Sequence, residues 1–367
     1  MKITSVSLYA ADLPMKEGAY SWAGQSFAAF DTTILRLETD EGIVGVAEAC
    51  PLGPAYIPGY AEGVRAGIGV LAPHLIGADP TNLGALNALM DLRLKGHPYV
   101  KSAIDIAAHD IKGQALGVPV YDLLGGLQQD RVRLFKVVSR ADPALMAEKI
   151  SAYQEQGFHQ FQMKVGAGAD ADIARIEAVM AAKRPGIRLA ADANCGWKQH
   201  EAVRVANAVR DLDLYLEQPC TTYEECLVVR EKAPHPLILD ECMVDVRALL
   251  RAIHDRACEG INLKIGRYGG LTKARLIRDL CLEAGIFMTV EDTWGGDIGD
   301  AAIAHLAHTL PADMHFQSSA FHEYTTARHA EGVPVIRDGF MTANDKPGLG
   351  LDVDWEALGE PIARFIQ

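Results

Sequence analysis

Three apolar stretches in the middle of the chain each end in an acidic residue. Residues 187–192 read IRLAAD, residues 212–217 read LDLYLE and residues 235–240 read HPLILD. Two further stretches end in lysine instead, since residues 161–164 read FQMK and residues 261–264 read INLK. Short apolar runs of this kind are typical of buried strands. The sequence therefore predicts a series of strands that each finish on a charged side chain.

These charged strand ends are regularly spaced. The consecutive steps are 28, 25, 23, 24 and 27 residues, between Lys164, Asp192, Glu217, Asp240, Lys264 and Glu291. Each step has room for one strand and one amphipathic helix, and parallel neighbouring strands need such helical crossovers. About seven or eight of these units in roughly 200 residues are typical of a closed barrel. An open doubly wound sheet is the alternative, but its Gly-x-Gly-x-x-Gly turn is absent.

The two ends of the chain have a different texture. Near the start, strands at 34–38 and 43–48 surround a Thr-Asp-Glu-Gly turn, and helical periodicity follows as far as residue 116. The first barrel strand is expected at 132–138. From about residue 325 the strand–helix alternation stops, and a hairpin is predicted at 333–342 around an Asp-Gly turn. We expect this tail to leave the barrel and rejoin the first domain.

The charged strand ends form a chemically coherent set. The carboxyl ends of barrel strands meet at one face, where active sites of this architecture are built. Carboxylates on three successive strands suit a hard cation such as Mg²⁺, whereas zinc prefers His or Cys ligands. Lys164 and Lys264 lie on strands to either side and should approach a substrate from opposite faces. The set predicts removal of the proton next to a substrate carboxylate, with Mg²⁺ stabilising the charge that develops.

Each of these residues also has a purely structural interpretation. A strand-end Asp is usually a helix N-cap, and a strand-end Lys is usually a solvated loop charge. Five such residues in order at unit spacing are hard to supply by chance, which favours the functional interpretation. A lysine that acts as a base must be neutral, and we expect a nearby cation and partial desolvation to lower its pKa.

Several motifs extend this pattern over essentially the whole chain. They are AIDIAAHDIKG at 103–113, LLGG at 123–126, DAN at 192–194, EQP at 217–219, DE at 240–241 and PGLG at 347–350. Together they resemble the enolase superfamily, in its mandelate racemase and muconate lactonizing enzyme branch. The resemblance implies an α/β fold, a modified TIM barrel of (β/α)7β form with an α+β capping domain built from both chain ends. We place the cap at 1–126, the barrel at 127–324 and the returning segment at 325–367.

The resemblance also implies roles for individual residues. Its metal ligands carry over to Asp192, Glu217 and Asp240, which would bind Mg²⁺, and its acid/base pair carries over to Lys164 and Lys264. Two positions depart from the family pattern. Gln162 replaces the first lysine of the usual Lys-x-Lys, so Lys164 lacks a cationic neighbour that would help to lower its pKa. His109 stands where a Trp is common, and we interpret it as a packing residue.

The segment after the seventh strand narrows the reaction. Residues 290–298 read VEDTWGGDI and contain no histidine, which disfavours the His–Asp chemistry of acid-sugar dehydratases. The segment is similar to that of family members that act on proline derivatives, as are residues 17–22 and 50–56, in loops that close over the substrate in this family. The resemblance implies a hydro-lyase that takes the α-proton and the 3-hydroxyl from cis-3-hydroxy-L-proline and gives Δ1-pyrroline-2-carboxylate.

A proline-type substrate needs partners for its ring ammonium and its apolar ring. Asp292 suits the ammonium, and Trp294 or Tyr56 suits an aromatic contact, although Trp294 has packing as an equal interpretation. The expected substrate contacts are Tyr56, Gln162, Asn194, Asp292 and Trp294.

Two other functions remain open at this point. An epimerase of proline betaine or hydroxyproline betaine would use the same two lysines, with the second returning a proton to carbon. A barrel that binds a ligand without catalysis is disfavoured, because it has no need of the metal carboxylates and both lysines. Racemisation by Cys195, Cys220 or Cys242 lacks a matched pair of thiols.

The bulk properties exclude several classes of partner. A formal net charge of −13 disfavours nucleic acids and anionic membranes, because their phosphates would be repelled. We find neither a signal peptide nor an apolar run that could span a bilayer, and the seven cysteines lack paired spacing. We therefore expect a cytoplasmic enzyme that acts on a small amino acid. Relatives are often symmetric, so a homo-oligomer is also expected.

Overall fold

The structure is a computed structural model that describes residues 1–22 and 25–366, with side chains at 1–20 and 26–366. The first part of the chain forms a four-stranded antiparallel sheet. Its order is Ala363–Ile366, Ile3–Pro14, Ala29–Thr39 and Val44–Ala49. The predicted hairpin around Thr39–Gly42 is confirmed, and Gly42 takes a φ of 78° there.

Among the residues described, four helices complete the first domain, and the first and third of them pack directly on this sheet. They span Ala61–Leu75, Leu83–Arg93, Pro98–Leu116 and Val120–Leu123. Pro98–Leu116 is the central helix and is buried along most of its length. Within it His109 is 2% exposed, and its ring Nδ1 lies 2.8 Å from Asp105 O. This confirms the packing interpretation of His109.

Eight parallel strands form the second sheet, each hydrogen-bonded to its neighbours in chain order. Barrel strands 1 to 8 are Lys136–Val138, Gln160–Lys164, Arg188–Asp192, Tyr215–Glu217, Leu237–Leu239, Gly260–Lys264, Phe287–Glu291 and His315–Ser318. A parallel bridge between Leu134 and Ser318 joins the two ends of the sheet. The predicted barrel is confirmed.

Seven longer helices alternate with the barrel strands. They are Pro143–Glu155, Ala169–Ala182, Gln199–Ala208, Tyr223–Lys232, Val246–Asp255, Leu271–Ala284 and Asp297–Ala307. A short helix, Ile265–Tyr268, follows barrel strand 6 directly, and a 3-10 helix, Phe321–Tyr324, follows barrel strand 8. The predicted crossovers are therefore present between every pair of neighbouring barrel strands.

The prediction of one strand at 132–138 is wrong. Val132–Arg133 pairs antiparallel with Phe340–Thr342, whereas Lys136–Val138 belongs to the barrel. The predicted tail hairpin is confirmed as Val335–Arg337 and Phe340–Thr342, but it adds to Val132–Arg133 and not to the first sheet. Periodicity could not separate the two pieces, because the run from Val132 to Val138 is largely buried and contains no Gly, Pro, Asn or Asp to mark a break. The remaining short elements are Tyr20–Trp22, Gln25–Phe27, Ala330–Glu331, Asp352–Val353 and Trp355–Leu358.

An apolar cluster fills the barrel one layer below the charged strand ends. Ala190, Ile238 and Phe316 are buried there, with Tyr215 and Phe287 packed against them. The ring centroid of Phe316 lies 4.6 Å from that of Tyr215 and 5.0 Å from that of Phe287. Side chains two residues apart on a strand share a face, so this apolar plug lies under the acidic side chains. The interior is apolar at one end and charged at the other.

Candidate active site

A pocket lies at the carboxyl ends of the barrel strands, beneath loops of the first domain. Its walls include nearly all of the residues that the sequence singles out: Tyr56, Gln162, Lys164, Asp192, Asn194, Asp240, Lys264, Asp292 and Trp294. The exception is Glu217, which is fully buried and does not line the pocket. Tyr20, Leu52, Phe135, Val137, Glu291, Thr293 and Phe321 complete the walls. Ser21 and Trp22, in the loop at 17–22, have side chains outside the described set.

Lys164 and Lys264 lie on barrel strands 2 and 6, which face each other across an eight-stranded barrel. Lys164 Nζ donates to Asp192 Oδ2 at 2.6 Å. Lys264 Nζ donates to Asp240 Oδ2 at 2.9 Å and lies 3.3 Å from Glu291 Oε1. Both amines are less than a tenth exposed. They therefore approach the pocket from opposite sides, each paired with a carboxylate.

The protein's own groups hold the pKa of both lysines above its ordinary value. Burial is the largest single influence and lowers the pKa of the Lys164 ammonium, but the combined attraction of its acidic neighbours, with Asp192 the strongest, outweighs it. Burial is likewise the largest single influence on Lys264 and lowers its pKa, but the combined attraction of Asp240 and its other acidic neighbours outweighs it. The carboxylates hold these amines protonated. The protein's own groups thus do not supply the lowered lysine pKa that the sequence suggested.

Asp240 is the most heavily engaged carboxylate of the site. Besides Lys264, it accepts a hydrogen bond from Arg267 Nη1 at 2.5 Å and one from Tyr56 Oη at 3.0 Å. Although burial opposes ionisation, Arg267 and Lys264 hold the pKa of Asp240 well below its usual range. Arg267 was not predicted from the sequence. It follows Lys264 by three residues, in the short helix after barrel strand 6.

Glu217 is fully buried beside the pocket, level with Asp192 on the neighbouring strand, and is held by two amides. Its Oε1 accepts hydrogen bonds from Gln162 Nε2 at 2.8 Å and from Asn262 Nδ2 at 2.6 Å. Its Oε2 is buried and has no hydrogen-bond partner among the described residues. Burial, together with the charge of Asp192, raises the pKa of Glu217 well above its usual value. A buried carboxylate oxygen with no donor needs a cation or a proton.

The three predicted metal ligands lie on neighbouring strands, Asp192 beside Glu217 and Glu217 next to the strand that ends before Asp240. In the described part of the chain, no group of three or more His, Cys, Asp or Glu side chains has the geometry to hold a metal ion. Lysines and Arg267 engage two of the three carboxylates instead. The donor set still fits a hard cation, because all its ligands are oxygen and Glu217 Oε2 has no partner.

The predicted substrate contacts fall into two groups. Gln162 and Asn194 are engaged by protein carboxylates, since Gln162 donates to Glu217 and Asn194 Nδ2 donates to Glu241 Oε1 at 3.0 Å. Tyr56 Oη accepts from Lys264 Nζ at 2.8 Å and donates to Asp240. Thus Gln162 and Asn194 hold carboxylate side chains of the site in place, whereas Tyr56 forms a hydrogen bond with Lys264 directly.

Asp292 and Trp294 form the part of the wall after barrel strand 7. Within the described residues, Asp292 accepts hydrogen bonds only from backbone groups, Thr293 N at 2.7 Å and Gly266 N at 2.8 Å. Burial raises the pKa of Asp292 to about 6. The Trp294 ring packs at 4.4 Å from Phe30 and 4.8 Å from Phe321, and its Nε1 has no acceptor among the described residues. The wall offers a carboxylate next to an aromatic surface.

Comparisons with known proteins agree with this architecture. Residues 8–125 match the model of the mandelate racemase/muconate lactonizing enzyme N-terminal domain, and residues 145–357 match the enolase C-terminal domain-like model. The chain belongs to the mandelate racemase/muconate lactonizing enzyme family of the enolase superfamily. No helix of the described chain combines the length and apolar character needed to cross a membrane.

Three relatives are similar to this chain over nearly its whole length. The chain is 51% identical, over 366 residues and all of both chains, to cis-3-hydroxy-L-proline dehydratase of Roseibium aggregatum. It is 31% identical to the N-succinyl-L-Arg/Lys racemase of Bacillus cereus, over 98% of each chain. Among solved structures, an enolase superfamily member from Roseovarius nubinhibens complexed with magnesium is 40% identical over all of both chains, with a TM-score of 0.95.

Proposed function

We propose that this protein is a magnesium-dependent hydro-lyase that converts cis-3-hydroxy-L-proline into Δ1-pyrroline-2-carboxylate and water. The observation that carries the proposal is the approach of Lys164 and Lys264 to one pocket from opposite barrel strands. The 51% identity to a cis-3-hydroxy-L-proline dehydratase supports the same reaction.

The stereochemistry of the substrate fits two opposed amines. In cis-3-hydroxy-L-proline the hydroxyl and the carboxylate share one face of the ring, so the α-hydrogen lies on the other face. One lysine removes this hydrogen as a base, and the other protonates the departing hydroxyl from the opposite side. The C–H and C–O bonds break, a C=C bond forms, and water leaves. The resulting enamine tautomerises to the imine product.

Other residues of the chain would bind and orient the substrate. Asp192, Glu217 and Asp240 would hold Mg²⁺, which when bound supplies positive charge beside the substrate carboxylate. Asp292 has no cationic partner in the described chain and would pair with the ring ammonium. Trp294 and Phe321 would cover the apolar ring. Gln162 and Asn262 would orient Glu217 so that Oε2 faces the cation.

Purified protein incubated with Mg²⁺ and cis-3-hydroxy-L-proline should give a product 18 mass units lighter by mass spectrometry, in line with the loss of one water. Removal of divalent cations with a chelator should stop the reaction, and Mg²⁺ should restore it. Absence of turnover, combined with α-proton exchange and inversion of proline betaine in deuterated buffer, would instead establish an epimerase. Absence of exchange with any amino acid tested would favour a non-catalytic binding protein.

Three further predictions from the sequence have not been tested. These are the domain boundaries after residues 126 and 324, the cytoplasmic location and the assembly into a homo-oligomer. Limited proteolysis, cell fractionation and light scattering test them in turn.

A further inference from the structure

A buried carboxylate of the first domain reaches across to the barrel behind the aromatic wall. Glu48, on the strand Val44–Ala49, is 7% exposed. Its Oε1 accepts hydrogen bonds from Thr32 Oγ1 at 2.9 Å and from Gly296 N at 2.8 Å, and its Oε2 accepts one from Gly299 N at 2.9 Å. Gly296 and Gly299 belong to the first turn of the helix Asp297–Ala307. Glu48 therefore binds the N-terminus of a barrel helix from the other domain.

This contact fixes the segment that carries Trp294. Only Gly295 separates Trp294 from Gly296, whose N–H donates to Glu48. A Cβ added at Gly296 would lie 3.1 Å from Leu13 and 3.3 Å from Glu48 Oε1, so the backbone passes close against the first domain. Two glycines give the segment no side chains of its own to hold it. The position of the Trp294 ring thus depends on Glu48, whose carboxylate binds the backbone two residues further on.

A second carboxylate on the same helix turn holds the neighbouring aromatic residue. Asp300 is fully buried, and its Oδ1 accepts a hydrogen bond from Phe321 N at 3.0 Å. Its Oδ2 accepts from His322 N at 2.8 Å and lies 2.5 Å from His322 Nδ1. The Phe321 and Trp294 rings meet at 4.8 Å. One helix turn, which carries Asp300 and is bound by Glu48, therefore organises two rings of the pocket wall.

Burying an ionisable group such as Glu48 at this place costs free energy. Its hydrogen-bond donors are uncharged, and burial, followed by the charge of Asp297, raises the pKa of Glu48 to about 7. An apolar side chain of similar size would avoid the cost of burying an ionisable group. The carboxylate does what an apolar side chain cannot, because it accepts two backbone N–H groups at once.

We propose that Glu48 and Asp300 are positioning residues that hold Trp294 and Phe321 against the substrate, and that Glu48 thereby lets the first domain set substrate affinity. The proposal rests on the dehydratase function proposed above. Neither side chain lines the pocket, so each acts only through the ring that it positions.

The test combines kinetics with a probe on the ring itself. The protein has four tryptophans, so labelling with 5-fluorotryptophan should give four ¹⁹F NMR resonances, and Trp294→Phe identifies one of them. In Glu48→Gln the amide keeps one acceptor and turns a donor toward the other backbone N–H. We expect the Trp294 resonance to move while that of Trp197 stays in place. We also expect KM to rise about five- to twentyfold and kcat to change less than about threefold.

Asp110→Asn is the matched control. Asp110 is also a buried carboxylate that accepts two backbone N–H groups, from Val46 at 3.0 Å and Leu349 at 2.8 Å, and it does not line the pocket. This variant should lower the melting temperature without moving the Trp294 resonance or changing KM more than about twofold. Asp300→Asn is the second test variant, should Glu48→Gln not fold. It should also move the Trp294 resonance, through Phe321.

The outcomes separate this proposal from the function on which it rests. A wild-type protein that does not turn over cis-3-hydroxy-L-proline defeats the proposed function, whereas the resonance still reports whether Glu48 positions Trp294. An unmoved Trp294 resonance in folded Glu48→Gln overturns the positioning role. A moved resonance with unchanged KM in an active enzyme overturns the link to substrate affinity.

Discussion

The two sides of the pocket use the same amine in different surroundings. Among the described residues, Lys164 forms an ion pair with one carboxylate, Asp192, whereas Lys264 contacts Tyr56, Asp240 and Glu291. Arg267 adds a second cation on the Lys264 side, bound to Asp240. A symmetric pair of bases would serve an epimerase, which moves a proton between equivalent faces. The unequal surroundings suit a reaction in which one amine removes hydrogen from carbon and the other protonates oxygen.

Replacing each lysine in turn is the strongest test of whether the two amines have different roles. Lys164→Ala and Lys264→Ala should each lower kcat for dehydration by at least about 10³-fold, because general acid or base catalysis is lost. In deuterated buffer, the variant that lacks the base should also lose α-proton exchange, and the variant that lacks only the acid should keep it. Dehydration at the wild-type rate in either variant removes that lysine from the mechanism.

The pH dependence of the reaction tests Asp292, which lies next to the strand of Lys264 and so belongs to that side of the pocket. Its carboxyl group is charged above a pKa of about 6 and neutral below it, and only the charged form pairs with an ammonium. We therefore expect kcat/KM to fall as the pH drops through about 6. Asp292→Asn should lower kcat/KM about ten- to a hundredfold at pH 8 and flatten this acidic limb.

Asp110→Asn is the control for the pH profile. Burial raises the pKa of Asp110 to about 6 as well, but its partners are backbone groups remote from the pocket. The acidic limb of kcat/KM should persist in this variant. If the limb instead disappears with Asp110 and survives without Asp292, the ammonium partner has been assigned to the wrong residue.

The smallest expected effect concerns the extra contact of Lys264. Tyr56→Phe removes one hydrogen bond to Lys264 and one to Asp240, and should lower kcat about three- to tenfold. Tyr99→Phe is the matched control, because the Tyr99 hydroxyl is buried and has no partner in the described chain. Its kcat should stay within about twofold of wild type. Equal losses in the two variants would show that the Tyr56 contact has no special role.

Sequence reasoning recovered the strand ends of the barrel because their chemistry is local. Each of Lys164, Asp192 and Lys264 closes an apolar run of fixed period, so strand alternation alone directs it to the carboxyl face. Asn262 could have been found in the same way, since it stands two residues before Lys264 on the same face of the strand. Its amide carries no charge, so the pattern of charged strand ends does not mark it.

Contacts between distant parts of the chain were not predictable from the sequence. Glu48 meets Gly296 across 248 positions of the chain, and nothing local marks it as more than one acidic residue in a strand. The split of the strand at 132–138 was missed for the same reason, because the partner of Val132–Arg133 is Phe340–Thr342 in the tail. Such pairings are decided by the packing of whole elements, which periodicity does not record.

The apolar plug under the charged layer affects how substrate enters the pocket and how product leaves it. In the described part of the chain, Tyr215, Phe287 and Phe316 pack together across the barrel and close the pocket from below. The imine and the released water must leave by the mouth through which the amino acid came in. Substrate entry and product release therefore use the same opening at different times. Both depend on the first-domain loops that cover this opening.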